Sequence, residues 1–297
     1  MSVSNRRDAF FLFALRSLAA ISAGIVILVV LFVAREAWTV FSGDMEKPFS
    51  LSRFVTDQDW DPAGGEYNLW PMVVGSLAAT FGSLLLTAPI GIGAAIFLNF
   101  YAPRRIAWAF RRIIEVLAGV PSVVYGLWGL SVLVPLIAKV SPIEQGQSLL
   151  AGVLILTFMT IPTVVIAADA AIKAVPKTQT RAAAALGLSQ RATAWSIVVP
   201  AARLGLFSAV ILQVARAIGE TMAVLMVCGN IVQVPNSVFE PVRTLTANIA
   251  LEMGYADQGH RSVLFLSGLI GLLLIAFLMA LANTISDRQK KREKFVN

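Results

Sequence analysis

The sequence predicts an all-α integral membrane protein with six transmembrane helices, and three observations lead there. Hydrophobic residues make up 57% of the chain, charged residues 14%, and the mean hydropathy is +0.77. A soluble domain carries about 25% charged residues. Six apolar stretches approach or exceed the roughly 20 residues that cross a bilayer: 17–34, 71–98, 113–138, 149–172, 204–227 and 262–285. Lipid offers the backbone no hydrogen-bond partner, so each must be helical. Counting the connecting segments alternately from the N-terminus, 17 of the 24 Lys and Arg residues fall on one side and six on the other, with Arg216 inside a span. The positive-inside rule makes the basic side cytoplasmic and places both termini there. The chain is therefore expected to cross a membrane several times.

The first element, 1–16, brings Arg6, Arg7 and Arg16 to the cytoplasmic side. Two arginines ahead of an apolar run also suit a signal peptide. However, 17–34 is long and no clean A-x-A site precedes Arg35, which favours a retained helix. The outer loop 35–70 holds Asp44, Glu46, Asp57, Asp59, Asp61 and Glu66 among Pro48, Pro62, Gly64 and Gly65. Such an acidic, turn-rich loop is either a solvated connection or a contact for an extracytoplasmic partner.

In the core, 71–285, Pro89, Pro121, Pro135 and Pro162 are expected to interrupt three adjacent spans, since each removes an i to i−4 hydrogen bond. The runs AGVPSVVYG (118–126) and MTIPT (159–163) set hydroxyls beside two of these prolines. Ser122, Thr160 and Thr163 then either line a polar pathway or cap freed carbonyls. Glu115, one turn from Arg111, and Asp169, one turn from Lys173, read as interfacial pairs.

Between the fourth and fifth spans lies VPKTQTRAAAALGLSQRATAWSIVVPAA (175–202). From Lys173 to Arg203 there are five basic residues and no acid, which describes a docking surface on one aqueous side. The fifth span holds Arg216, Gly219, Glu220 and Thr221. A charge at mid-span costs roughly 2.5–3.5 kcal/mol, so something must offset it. Glu220, four residues on, shares its face of a continuous helix. Two readings follow: a buried ion pair that fixes packing, or a fixed positive charge offered to an anion and oriented by Glu220. The chain closes with a sixth span and a basic tail, 286–297.

The sequence also excludes chemistry. Cys228 is the single cysteine, so no disulfide or cysteine-based metal site exists within the chain. His260 is the single histidine, at the outer edge of the last span, where a solvated surface residue is expected. No metal site or catalytic constellation is expected. There is no G-x-x-x-x-G-K-[ST] loop, so ATP, if used, is bound by another chain. The net charge of +7 reflects the cytoplasmic bias and does not point to nucleic acid.

In the 175–202 segment, Ala182, Ala183, Gly187, Ile197, Val199 and Pro200 fall where the cytoplasmic EAA loop of ABC-importer permeases has its Ala-Ala, Gly and Ile-x-Leu-Pro; Arg181 stands where that loop has Glu. RAIGETMAVLMVCGN (216–230) and PVRTLTANIALEMG (241–254) resemble the PstC family, permease subunits of the bacterial phosphate importer. The resemblance implies a type I importer with a five-helix MetI-like core at 71–285 and one additional N-terminal helix at 17–34. It implies a PstA-like second permease subunit, two PstB-like ATPases holding ATP and Mg, and a PstS-like periplasmic phosphate-binding protein. No cofactor is expected on this chain. The EAA-type loop would transmit ATPase closure, and Arg216 and Glu220 would serve phosphate transport.

Other function classes remain. A permease for phosphonate, sulfate or molybdate would look alike. A secondary anion transporter or channel would share six spans and an intramembrane Arg, yet would need no EAA-type segment. An intramembrane enzyme is disfavoured by the missing catalytic groups.

Overall fold

The computed structural model describes residues 3–41 and 50–296, with side chains over 8–41 and 50–284. Asp44, Glu46 and Pro48, the side chains of Arg6 and Arg7, and those of the basic tail lie outside the described residues.

Among the described residues, five helices are long and apolar enough to cross a membrane: Asp8–Phe41, Trp70–Tyr101, Leu149–Lys173, Gln190–Ile218 and Gln258–Thr284. A bent pair, Arg104–Ala118 and Ser122–Ala138, has 95° between its halves and brings the number to six when it is counted as one broken span. In chain order, α1 (Val3–Trp38) leads to a short α2 (Arg53–Thr56) and a two-stranded hairpin of β1 (Trp60–Asp61) and β2 (Glu66–Tyr67). Next come α3 (Trp70–Ile96), prolonged by a π-type turn over Phe97–Tyr101, and α4 (Arg104–Ala118). The other arm of the bend is α5 (Ser122–Trp128) and α6 (Val134–Ala138), joined through a second π-type turn. After α7 (Leu149–Lys173) come α8 (Lys177–Ala185), α9 (Gln190–Ala192), α10 (Val199–Ile218), α11 (Met222–Val227), α12 (Leu245–Glu252) and α13 (Gln258–Val296).

The central helix is α7. Ser148 caps it, its hydroxyl accepting from the Ala151 N–H at 3.3 Å. Lys173 closes its last turn, where a cation suits the helix dipole. Against it lies α3, whose Gly82 and Gly91 let the two backbones approach: a Cβ there would come within 2.7 Å of Val153 and 2.5 Å of Val164. The inner core joins Ile155, Leu156 and Met159 to Val224 and Val227 of α11 and Val242. A second cluster, at the Lys173 end of α7, joins Ala95 and Ile96 to Ala168, Ile172, Val198 and Ala202.

Several expectations are revised. Pro89 and Pro162 lie inside unbroken α3 and α7, so they do not interrupt these spans. Only Pro121 marks a break, at the N-cap of α5; Pro135 follows the π-type turn at the start of α6. Residues 113–118 belong to α4, on the far side of the bend from the rest of the expected third span. The fifth span is displaced: its helix begins at Gln190 and ends at Ile218, with 222–227 a separate short helix. Pro200 lacks an N–H to donate, and the wide turn over Thr193–Val198 precedes it and carries the helix through. Ile197, Val199 and Pro200 therefore lie within the continuous Gln190–Ile218 helix rather than in a loop.

The outer loop is partly a folded cap. Phe54, Trp60, Tyr67 and Leu69 are buried with Val263, Leu264 and Leu266 of α13. Glu252 ties this cap together: its carboxylate accepts from Trp60 Nε1 at 2.8 Å and Arg243 at 2.7 Å, and His260 Nε2 lies 2.9 Å away. His260 is buried at 7% exposure, against the expectation of a solvated histidine.

Candidate functional site

α10 lies along α7 so that Gly205 meets Ala171 and Gln213 meets Thr163. Continuing that register puts Arg216 beside the middle of α7, close to half-way between Leu149 and Lys173. There the helix stops at Gly219, and α11 restarts after Glu220 and Thr221. The expected fifth span thus reaches mid-depth and breaks, and irregular backbone at that depth is tolerated only against protein or a water-filled path.

The break separates the two charges. Arg216 is in the last turn of α10, where a cation suits the carbonyl end of the helix dipole. Glu220 lies beyond the helix end, so the four-residue face argument does not apply. Its Oε1 accepts the Ala223 N–H at 3.2 Å and caps α11. Among the described residues no ion pair joins Arg216 to Glu220, so the expected buried pair is absent and each charge serves its own helix end. The Glu220 carbonyl accepts the Thr246 hydroxyl at 2.6 Å, tying the break to α12. Thr221 stays local, its hydroxyl donating to the Gly219 carbonyl at 3.3 Å.

Arg216 is exposed and opens onto a groove of about 560 Å³ lined by Thr163, Ile166, Ala167, Leu212, Gln213 and Ala215. The Thr163 hydroxyl lies 2.8 Å from Gln213 Oε1 and 2.9 Å from the Thr160 carbonyl, its one proton available to either acceptor. The groove therefore joins Thr163 and Arg216 and adds Gln213, which sequence reasoning passed over. Its signal was present, since a lone Gln three residues before Arg216 in an apolar run shares that face. Thr160 is not in the groove: at 2% exposure it bonds the Leu156 carbonyl and Thr87 inside the α3–α7 contact. Ser122, at the start of α5, does not line the groove either. The groove offers one guanidinium and one amide on an otherwise apolar wall, a donor set suited to an oxyanion.

At the opposite end of α10, α8 carries Arg181 and Ala182 exposed and Ala183 buried. Gly187 has φ +71°, the left-handed backbone that favours glycine. Leu186 and Trp195 are exposed at 80% and 54%. Ser189, Arg191, Ala192, Trp195 and Ser196 line an open depression of about 420 Å³. This end thus combines basic charge, a sharp turn and uncovered apolar side chains. Of the two pairs expected near the helix ends, Asp169–Lys173 forms, with Arg111 joining Asp169 at 3.0 Å, whereas Glu115 pairs with Arg112 at 2.7 Å instead of Arg111.

Comparison with known proteins follows the same lines. A probable ABC transporter permease protein, YqgH, of Bacillus subtilis is 37% identical over 88% of this chain and 88% of its own length. The phosphate transport system permease protein PstC of Pasteurella multocida is 31% identical over 85% of this chain and 84% of its own length. In fold, a bacterial alginate ABC transporter crystallised with its alginate-bound periplasmic protein superposes with a TM-score of 0.67 at 14% identity, covering 97% of this chain and 98% of the other. The MetNI methionine ABC transporter, in an inward-facing form, gives 0.54 at 15% identity, over 74% and 93%. The family model for the inner membrane component of binding-protein-dependent transport systems matches residues 87–292. The chain belongs to that family of ABC-importer permeases, a multi-pass inner-membrane protein with the MetI-like fold.

Proposed function

We propose that this chain is one of two permease subunits of an ATP-driven importer of inorganic phosphate, with Arg216 as the fixed positive charge of its pathway. The observation that carries the reading is an exposed arginine at mid-membrane depth, on a groove beside a helix break, with no carboxylate paired to it. A guanidinium facing acyl chains is costly, whereas one facing a water-filled path shared with a second subunit is not. The PstC relatives supply the substrate. The partners are then a PstA-like permease across the groove, two PstB-like ATPases carrying ATP and Mg, and a PstS-like binding protein on the outer side.

In this reading the basic side, with both termini and α8, is cytoplasmic. ATP-driven closure of the ATPases moves α8 and the turn at Gly187, and α10 carries that displacement to Arg216. Thr163 and Gln213 orient the bound anion beside the guanidinium, and Glu220 holds the start of α11.

The test is uptake of labelled phosphate by vesicles holding the complete transporter. Arg216→Gln is expected to assemble normally and lose roughly 10- to 100-fold in uptake, the value of a charge-assisted hydrogen bond. Glu220→Gln keeps an oxygen for the Ala223 N–H and is expected to lose far less. Wild-type uptake by Arg216→Gln would overturn the role of the arginine. Competition by sulfate or molybdate as strong as by phosphate would reassign the substrate to another oxyanion, and uptake without any ATPase would favour a carrier or channel.

A further inference from the structure

α4 has three distinct faces. Ala107 and Ile114, each 5% exposed, seat it against Leu98 and Val165. Arg111 fixes that seat, pairing with Asp169 at 3.0 Å and donating to the Leu98 carbonyl at 3.4 Å. A second face presents Ile106, Phe110, Ile113 and Leu117, spaced i, i+4, i+7, i+11 as one stripe, and all four are exposed. A third presents Arg104, Arg105, Trp108 and Arg112, also exposed, with the Arg112 guanidinium 5.9 Å from the Trp108 ring centroid. Arg112 is matched by Glu115, the one acid of the helix, at 2.7 Å. Arg104 and Arg105 have no ion-pair partner among the described residues.

The bend sets the orientation of these faces. The α5–α6 arm runs alongside α7: Trp128 meets Phe158 edge-on at 5.5 Å, and Gly129 packs on Ile155. α4 lies at 95° to that arm and crosses α7 near Val165–Asp169, towards its Lys173 end. A helix across the bundle at that level, starting where α3 ends, lies along the membrane surface. Its stripe then meets acyl chains, and its arginines meet headgroups.

We propose that α4 is an interfacial helix that binds anionic phospholipid on the leaflet at the Lys173 end of α7. Arg104, Arg105 and Arg112 hold the lipid phosphates, Trp108 sits at the apolar boundary, and the Ile106–Leu117 stripe enters the acyl layer. The occupant follows from charge and shape together: a cationic row on the face roughly opposite an apolar stripe matches a bilayer surface of anionic headgroups above acyl chains. A soluble partner would not require the stripe. The inference does not depend on what the pathway carries.

The test uses the full chain with its associated subunits in lipid nanodiscs of phosphatidylcholine, containing either spin-labelled phosphatidylglycerol or spin-labelled phosphatidylcholine. The wild type is expected to immobilise the phosphatidylglycerol label several-fold more strongly, with the preference falling as salt rises. Arg104→Gln, Arg105→Gln and Arg112→Gln together should abolish the preference. The triple lysine variant should retain it, which separates charge from folding. Equal immobilisation of both labels by the wild type, or an unchanged preference in the glutamine variant, would overturn the proposal. A preference seen with the chain alone and lost with its subunits bound would assign the face to a subunit contact and overturn it too.

Discussion

Glu252 shows how much a single buried residue organises in the cap over the N-terminal end of α13. Burial raises its pKa, but hydrogen bonds from His260 and Trp60 and the charge of Arg243 outweigh this and hold the carboxyl below its ordinary 4.5. A depressed carboxyl contributes stability that is present above its unfolded value and is lost as pH falls through the folded value. Glu252→Gln should therefore cost about 1.5–3 kcal/mol near neutral pH, the range for a hydrogen bond to a charged group. The gap from the wild type should close as pH drops below about 4.5. Thermal unfolding in detergent across that range checks it, and a gap independent of pH would show that the carboxylate charge is immaterial. None of this was legible in the sequence, because Trp60 and Glu252 are 192 positions apart and neither belongs to a local pattern. Arg216 was legible, since one charge in an apolar run stands out. Its partner was misassigned because the four-residue rule assumes an unbroken helix, and Gly219 ends this one.

Helices are where the sequence was read best and where its errors have one cause. The span expected at 149–172 was found as Leu149–Lys173, because polar residues bound it on both sides. The expected 113–138 and 204–227 both run across breaks, and hydropathy averages over a break when both flanks are apolar. Gly119-Val120-Pro121 and Gly219-Glu220-Thr221 are too short to interrupt such an average, and each redirects the chain. Pro89 and Pro162 misled the other way, since a proline inside a packed helix can be accommodated by its neighbours. The turn after α8 is a local feature that the sequence did disclose. A Cβ added to Gly187, at φ +71°, would meet nothing within 4 Å, so a substitution there is resisted by the backbone alone. A left-handed residue with a side chain costs about 1–2 kcal/mol, and Gly187→Asp adds an opposite charge to a basic surface proposed to dock the ATPase. The variant is expected to insert normally but to stimulate its ATPase several-fold less. Unchanged stimulation and uptake would remove this turn from the coupling path.

Across the whole molecule, burial separates what is finished from what awaits a partner. The apolar window of α1 has none of its residues buried, and α1 is fastened at its outer end, where Thr39 meets Ser262 at 2.7 Å and Phe32 meets Phe265 at 5.8 Å. α7 has 61% of its window buried and is the axis of the fold. Between these extremes, α10 carries the Arg216 groove on an open face at mid-depth and the Gly187 turn at its basic end, so one rigid element spans both proposed sites. That arrangement requires the basic end to face the compartment that holds ATP, which makes orientation the decisive global test. Ser189 is exposed on that end, whereas Cys228, the single cysteine, is 1% exposed. Ser189→Cys should react with an impermeant maleimide only after cells are opened, and the parent chain should not react in either case. Labelling of intact cells would place α8 outside, leave the ATPases no surface to drive, and invert the charge-based orientation from which the coupling path is built.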